Sequence, residues 1–588
     1  MNFNSVQRLF LVLSVIAYAL ITAMNAAAIN LQPHLETRHG VRQMVVDGNP
    51  FLILGGELNN SSSSSREYMK PIWPELARKN LNTVLAAVTW ELTEPTEGKF
   101  DFSVVDGLIQ DARAHNMHLV LLWFGSWKNG ESSYVPYWVK TNPKRFPLIK
   151  NGSGQTLNVL STFGTATRDA DARAFGALMR HIREVDGQQH TVLMMQVENE
   201  VGVLGDTRDR SAVANKAFSG PVPPKLMKYL VKHKDTLAPE LLAVWKANGF
   251  KTSGTWTEVF GEGKPDSIVL SYNLTDEQRK TEWRKLHWPV DEIFMAWHYA
   301  RYVEKVIEAG KREYNIPMYV NAWLQQPSLP WPGTYPSGGP VPQVADIWRA
   351  GAPSMDFMSP DLYISEFDET CTRFTRNGNT LFIPEANTGP GSAINALTAI
   401  LNHNAIGFSP FGIDGWFGFR SGNVSAPDPL AQTYAVLDYL APLILDNQGR
   451  GSIAWLPPTP NTGSAAQEVS LGNYTIHISP ANNGFRRFLG NRASTALHPT
   501  DSEGFPGYLI ICTGPDEYVV AGGNMNLSFT ANAAGAKTVR LGSIDESLLV
   551  DGHWVPGRRL NGDQTGNDSH MPFMWNFGIY RIHLYQRD

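Results

Sequence analysis

The run Val192-Leu193-Met194-Met195-Gln196-Val197-Glu198-Asn199-Glu200 is apolar for most of its length and closes on acids. It follows Phe175, Leu178, Met179 and Ile182, which are spaced i, i+3, i+4, i+7 on one face of a helix. A short continuous apolar run after an amphipathic helix reads as a strand buried on both faces, as in a parallel sheet. The same unit recurs on both sides. Upstream lie the runs Phe51–Leu58, Asn82–Glu91 and His118–Trp127, with helical patterns over Arg66–Lys79 and Val104–His115. Downstream lie Ile316–Trp323, Asp356–Ile364, Thr380–Ala386 and Ile406–Ile413, with helical patterns over Asp291–Glu313, Ser392–Asn404 and Leu430–Leu445.

Eight short strands, most followed by a helix, predict an α/β chain built as a (β/α)8 barrel. An open doubly wound sheet is the competing architecture, and it calls for a Gly-rich phosphate turn. Gly55-Gly56 after the first run is not that pattern. The barrel is expected over 29–450, with a polar insertion at about 201–288 that carries helical pieces of its own. Pro457-Pro458-Thr459-Pro460 reads as a linker. Beyond it, alternating segments such as Tyr474–Ile478, Tyr508–Cys512 and Tyr580–Tyr585 predict a β-sandwich-like domain over 451–588.

Composition narrows the function classes. Of 588 residues, 43% are apolar and 18% charged, which excludes a largely disordered chain or a long polar rod. Net charge is 50 − 55 = −5, and no Lys/Arg-rich stripe marks a nucleic-acid partner. Cys371 and Cys512 are too few for a disulfide scaffold or a Cys-type zinc site, and both read as unpaired core thiols. Fourteen of the 17 tryptophans precede residue 420, inside the expected barrel.

In such a barrel the active site collects at the C-terminal ends of the strands. Glu200 ends the fourth run and Glu385 ends the seventh, Leu381-Phe382-Ile383-Pro384-Glu385. Two facing carboxylates in an aromatic-lined cleft are the equipment of glycoside hydrolysis: one donates a proton to the leaving oxygen and the other attacks the anomeric carbon. That chemistry requires no metal and no organic cofactor. An isolated strand-end glutamate is commonly a salt-bridged residue; the pair, with Asn199 adjacent, favours catalysis. Glu198 competes with Glu200, because strand alternation puts both on one face. The position nearer the strand end favours Glu200.

Asn199-Glu200 and Glu385 resemble the catalytic pattern of the clan A glycoside hydrolases. Further segments resemble glycoside hydrolase family 35, the β-galactosidase family: Asp47-Gly48-Asn49-Pro50-Phe51 into Gly55-Gly56-Glu57, Leu81-Asn82-Thr83-Val84 to Trp90-Glu91 and Glu94-Pro95, Gly98-Lys99-Phe100-Asp101-Phe102, and Gln196-Val197-Glu198-Asn199-Glu200. The tail resembles the C-terminal β-domain of a bacterial subgroup. The chain departs from better-known members at Glu57-Leu58-Asn59-Asn60, where they carry a His-Tyr pair, and at Val201. The resemblance implies retention of configuration, with Glu200 as acid/base, Glu385 as nucleophile, and Glu198 as a buried barrel residue. It implies that Tyr363 hydrogen-bonds the nucleophile and that Asn199 and Glu57 line the sugar site. Trp90, Trp123, Trp127, Trp323 and Trp416 fall at or beyond strand ends, where an aromatic face can stack on a pyranose. Ser61–Ser65 is expected to be a flexible rim without nucleophilic serine chemistry.

The expected function is a retaining exo-β-galactosidase acting on a galactoside oligosaccharide or polysaccharide, with xyloglucan side chains the candidate. Alternatives are another clan A activity on the same pair, a β-glycanase or arabinosidase, or a non-catalytic carbohydrate-binding protein. Arg8, the apolar run Leu9–Met24 and Ala26-Ala27-Ala28 form a secretory leader, so a secreted or periplasmic enzyme without stable membrane insertion is expected. An uncleaved anchor is the competing reading, and the run is short for the ~20 residues that span a bilayer. Cleavage after Ala28 predicts that N-terminal sequencing of exported protein starts near Ile29; a sequence starting at Met1 contradicts it.

Overall fold

The computed structural model describes residues 31–262, 289–389, 391–415, 428–457, 466–480, 505–523, 525–533, 537–550, 553–565, 571–574 and 577–588. The leader at 1–28, Trp416 and the end of the insertion at 263–288 lie outside them.

Eight parallel strands form one sheet: β4 (Ile53–Glu57), β5 (Thr83–Thr89), β6 (His118–Phe124), β9 (Val192–Val197), β10 (Met318–Trp323), β11 (Phe357–Leu362), β12 (Glu385–Ala386) and β13 (Gly407–Phe408). They pair in chain order, and β13 returns to β4. A parallel bridge from Ile383 to Phe408 closes the ring, with the Ser409 amide donating to the Ile383 carbonyl at 2.8 Å. All eight expected strands are present. The helices Ser103–Ala114, Thr165–Asp186, Pro289–Glu313 and Pro429–Asn447 pack outside.

Side-chain parity sorts two cores. Ile53, Leu85, Val120, Leu122, Tyr319, Phe357 and Phe382 fill the barrel interior. Leu54, Val84, Val88, Leu121, Trp123 and Val320 face the helices. A small antiparallel sheet, β1 (His34–Arg38), β2 (Val41–Val46) and β3 (Asn49–Phe51), precedes the barrel. Its Met44 and Val46 join the interior core, so it plugs the N-terminal end. A hairpin, β7 (Leu148–Lys150) with β8 (Thr156–Leu160), adds to the loop after β6. Sequence reading missed both, because short edge hairpins lack a sustained apolar run. The described part of the insertion carries helices Ala212–Phe218, Pro224–Lys232, Pro239–Ala247 and Trp256–Phe260. Arg208 and Arg210 fasten it to Asp291 at the start of the long helix, at 3.2 and 2.8 Å.

After β14 (Ile453–Leu456) and β15 (Gln467–Leu471), the chain continues through β16 (Tyr474–Pro480), β17 (Tyr508–Gly514), β18 (Glu517–Gly522), β19 (Met525–Ala531), β20 (Thr538–Val550), β21 (His553–Leu560), β22 (Met571–Met574) and β23 (Gly578–Arg587). These make antiparallel sheets ordered β14-β17-β18-β23-β20-β21 and β15-β16-β19-β22. Tyr474, Ile476 and Leu527 from one sheet and Ile510, Val520 and Ile582 from the other share a core, which is sandwich packing. Trp455, Leu509, Ile511 and Ile579 join the barrel's outer core instead, so the tail is braced against the barrel. Cys371 is buried, Cys512 is half-buried, and neither forms a disulfide. Among the described residues no helix is long and apolar enough to cross a membrane.

Barrel closure depends on Gly407. A Cβ there would lie 2.4 Å from the Ile53 Cβ and 2.6 Å from its carbonyl oxygen. Gly407→Ala is expected to destabilise by about 1–3 kcal/mol through overpacking, read as a lower thermal midpoint. Gly389→Ala, whose Cβ meets nothing within 4 Å, is expected to leave the midpoint near its original value.

Candidate active site

At the C-terminal mouth of the barrel lies a cavity of about 1040 Å³, lined among others by Lys128, Tyr134, Glu200, Trp323, Asp361, Tyr363 and Glu385. Glu200 and Glu385 both reach it, from the ends of β9 and β12. One carboxylate oxygen from each of Glu200, Asp361 and Glu385 lies within 4.8 Å of the others.

The backbone after β9 selects which glutamate enters the cleft. The strand stops at Val197, and Glu198 (φ 63°) and Glu200 (φ 44°) are both left-handed. Non-glycine residues in that region carry a cost of order 1 kcal/mol each, which the surrounding fold must offset. Alternation therefore ends before these residues, and Glu198 and Glu200 part company. Glu198 accepts the Trp127 backbone N–H at 2.8 Å and faces Asp171. Burial, then the Asp171 charge, pushes its carboxyl well above the usual range. Asp171 in turn accepts from Trp123 Nε1 at 2.9 Å and Ser126 Oγ at 2.6 Å. Glu198 is thus part of a buried polar cluster under the cleft, the role the sequence resemblance gave it. Glu200 is held by its own backbone N–H, which donates to Asn321 Oδ1 at 3.0 Å. Asn321 Nδ2 donates to Asp361 Oδ2 at 2.7 Å.

Burial, then the neighbouring Glu385 charge, raises the Glu200 carboxyl to about 7. Lys128 opposes that rise. Asp361 is raised well above the usual carboxylate range by burial and by Glu385 and Glu200. Glu385 receives Tyr363 OH on Oε2 at 3.0 Å and Asn199 Nδ2 on Oε1 at 3.3 Å. Lys128 Nζ stands 3.8 Å from Oε1. Both oxygens of Glu385 thus have donors beside them. Glu200, Asp361 and Glu385 are also the described acids close enough together to share a metal ion, and Lys128 places an ammonium beside them.

The remaining expected site residues divide. Asn199 and Tyr363 touch Glu385, and Trp323 lines the cavity. Glu57 is fully buried below the mouth rather than on the lining. Burial, then Glu385, raises its carboxyl well above the usual range. Trp90 and Trp123 do not line the cleft. Trp90 is buried and donates to Glu94 Oε2 at 2.8 Å, and Trp123 donates to Asp171. Trp127 is buried too, donating to the Leu160 carbonyl at 3.1 Å. Parity explains Trp123, which shares a face with the helix-packed Leu121, whereas Trp323 shares one with the inward Tyr319. Trp90 lies past the end of β5, where the helix Trp90–Thr93 begins, and packs in the outer core. The Trp90–Glu94–Gly98 segment is a structural corner: Glu94 also accepts the Gly98 amide at 2.7 Å and Arg173 at 3.0 Å.

Ser61–Ser65 is not a loose rim. Ser62–Ser64 is a 3-10 turn, Ser63 Oγ donates to the Ala87 carbonyl at 2.7 Å, and Ser65 caps the next helix. Ser62 Oγ and the Asn59 amide both bond Asp414, at 2.6 and 3.0 Å, which ties the first loop to the last. Lys128, Asp361 and Asn321 were missed in the sequence. Asp361 lies two residues before Tyr363 on the same strand face. Lys128 directly follows the third run, where a search for strand-end acids passes it over.

Residues 60–258 match a β-galactosidase family model, glycoside hydrolase 42. The family 35 resemblance and this match share the β-galactosidase description. Residues 430–572 match a model described as a domain of unknown function, which begins within the helix Pro429–Asn447. A β-galactosidase of Xanthomonas manihotis is 28% identical over 202 residues, 33% of this chain and 30% of that protein. The human β-galactosidase-1-like protein 3 is 26% identical over 190 residues, 31% of this chain and 27% of its own length. The chain thus spans under a third of these curated relatives. Among solved structures, the β-galactosidase of Bacillus circulans sp. alkalophilus matches with a TM-score of 0.43 at 16% identity, covering 67% of this chain and 57% of that one. That of Rahnella sp. R3 matches with 0.42 at 14%, with the same coverages.

Proposed function

We propose that this protein is an exported, retaining exo-β-galactosidase that removes terminal galactose from oligosaccharide or polysaccharide side chains, xyloglucan being the candidate. The observation that carries the reading is the carboxylate pair, with Glu200 and Glu385 oxygens within 4.8 Å in one cleft. Retaining enzymes need the two carboxyl groups about 5–5.5 Å apart, whereas inverting enzymes need about 6.5–9.5 Å to admit a water between them. The β-galactosidase family match supports the sugar, and the motifs around Gly55-Gly56 and Asn199-Glu200 support a relation to family 35. The cavity, about 1040 Å³, is at the upper end of ligand pockets and has room for an aglycone beyond one sugar ring.

The chemistry follows from the placement. A Glu385 oxygen attacks the anomeric carbon while the glycosidic C–O bond breaks, and the Glu200 proton passes to the leaving oxygen. Glu200, now a carboxylate, takes a proton from water, whose oxygen displaces Glu385 from the sugar. Tyr363 and Asn199 hold the nucleophile's two oxygens throughout. A nitrophenyl glycoside screen separates galactosidase from β-glycanase or arabinosidase action on the same pair, and absence of turnover on every glycoside supports a binding protein instead.

Because Glu200 must be protonated and its carboxyl sits at about 7, kcat/KM should fall as pH rises through about 7. Glu200→Ala should lose roughly 10²–10⁴-fold on poor leaving groups, with less loss on nitrophenyl substrates and rescue by azide to the β-glycosyl azide. Rescue in Glu198→Ala and not in Glu200→Ala would reverse the assignment.

A further inference from the structure

Lys128 is the one Lys, Arg or His among the described residues that line the cavity. Its side chain is only 5% exposed. It follows β6 and is pinned by a reciprocal backbone pair with Glu131, at 2.8 and 3.0 Å. Its Nζ lies 4.9 Å from the centre of the Phe124 ring on one side and 3.8 Å from Glu385 Oε1 on another. An ammonium removed from water to this extent is retained only where opposite charge repays its lost hydration. The acidic side chains around it come from four strands: Glu385 in β12, Glu200 beyond β9, Glu57 ending β4 and Asp361 in β11. The Tyr363 hydroxyl takes the far oxygen of Glu385.

We infer that Lys128 is a positioning residue for the glycosidic reaction: its buried ammonium is the countercharge that lets Glu385 act as a carboxylate while Glu200 keeps its proton, in a cleft also holding Glu57 and Asp361. The inference rests on the roles proposed for Glu200 and Glu385. It also supplies a switch between the two steps. Before attack, the Glu385 charge holds the proton on Glu200. Once Glu385 is esterified to the sugar its charge is gone, and Lys128 remains to favour the carboxylate form of Glu200. That is the form which takes the proton from the incoming water. Burial opposes the charge on Lys128, but its acidic neighbours, Glu385 foremost, outweigh it and hold the ammonium above its ordinary value before attack.

The test is the pH dependence of kcat/KM for a nitrophenyl β-galactoside with the full chain, Lys128→Met and Lys128→Arg. An opposite charge at this range shifts a carboxyl by about 1–3 units. Deleting it should raise both carboxyls, so both limbs of the Lys128→Met profile should move to higher pH by about one unit or more. Lys128→Arg keeps the charge and should keep both limbs near their original positions. Lys128→Gln, checked for folding by circular dichroism, repeats the charge deletion should the methionine variant not fold. An active wild type whose Met and Gln variants lose activity through KM or kcat with unmoved limbs overturns the inference, as do equal shifts in the Met and Arg variants. A wild type with no glycosidase turnover overturns the functional reading instead.

Discussion

Three carboxyl groups and one ammonium meet at the mouth of this barrel with Glu57 buried below them, and the rest of the site is arranged around that crowding. Two like charges about 4.8 Å apart repel by roughly 3–4 kcal/mol at an effective dielectric near 20. Glu200, Asp361 and Glu385 cannot all be ionised readily at that spacing, and the buried Glu57 adds to the strain. Protons stay on the groups that burial and neighbours push up, Glu57, Asp361 and, around neutrality, Glu200. Glu385 differs in having Tyr363, Asn199 and Lys128 on its two oxygens. Two identical side chains thereby acquire different work from their surroundings, as acid/base pairs in clefts generally do.

The barrel supplies this crowding by symmetry, since every strand aims its C-terminal end at one small area. What it does not supply is aim, and the loops do that. The left-handed steps at Glu198 and Glu200 turn one glutamate down to Asp171 and the other into the cleft. Asn321 reaches from β10 to both the Glu200 amide and Asp361. Asp414 ties the loop after β4 to the loop after β13 and fixes one wall. The C-terminal sandwich contributes Trp455 and Ile579 to the barrel's outer core, which fits a brace on the scaffold.

Much of the fold was legible because buried parallel strands are continuous apolar runs; all eight are present, although the seventh and eighth runs hold strands of only two residues, Glu385–Ala386 and Gly407–Phe408. The pair Glu200 and Glu385 was legible from strand-end position. The choice between Glu198 and Glu200 was not accessible to alternation, because alternation ends at Val197 and the turn that separates them is a backbone property. The tryptophans failed for a different reason. Strand-end position says how far up a side chain sits, while parity says which face it occupies; Trp123 has the parity of the helix-packed side, and Trp90 opens a helix beyond β5 and packs in the outer core. Glu57 had inward parity yet is fully buried and does not line the cavity. Lys128 has no periodic signature, and its meaning appears only when four distant strands bring their acids to it.

The proposed function depends above all on Glu385 as the nucleophile facing Glu200 across one cleft. A 2-deoxy-2-fluoro galactosyl fluoride tests it most directly, since the fluorine slows both steps and the activated leaving group lets the covalent sugar accumulate. The expected result is a stoichiometric mass gain that peptide mapping places on Glu385. The same mass on Glu198, Asp361 or Glu57, or turnover to an inverted anomer with no covalent species, would contradict it.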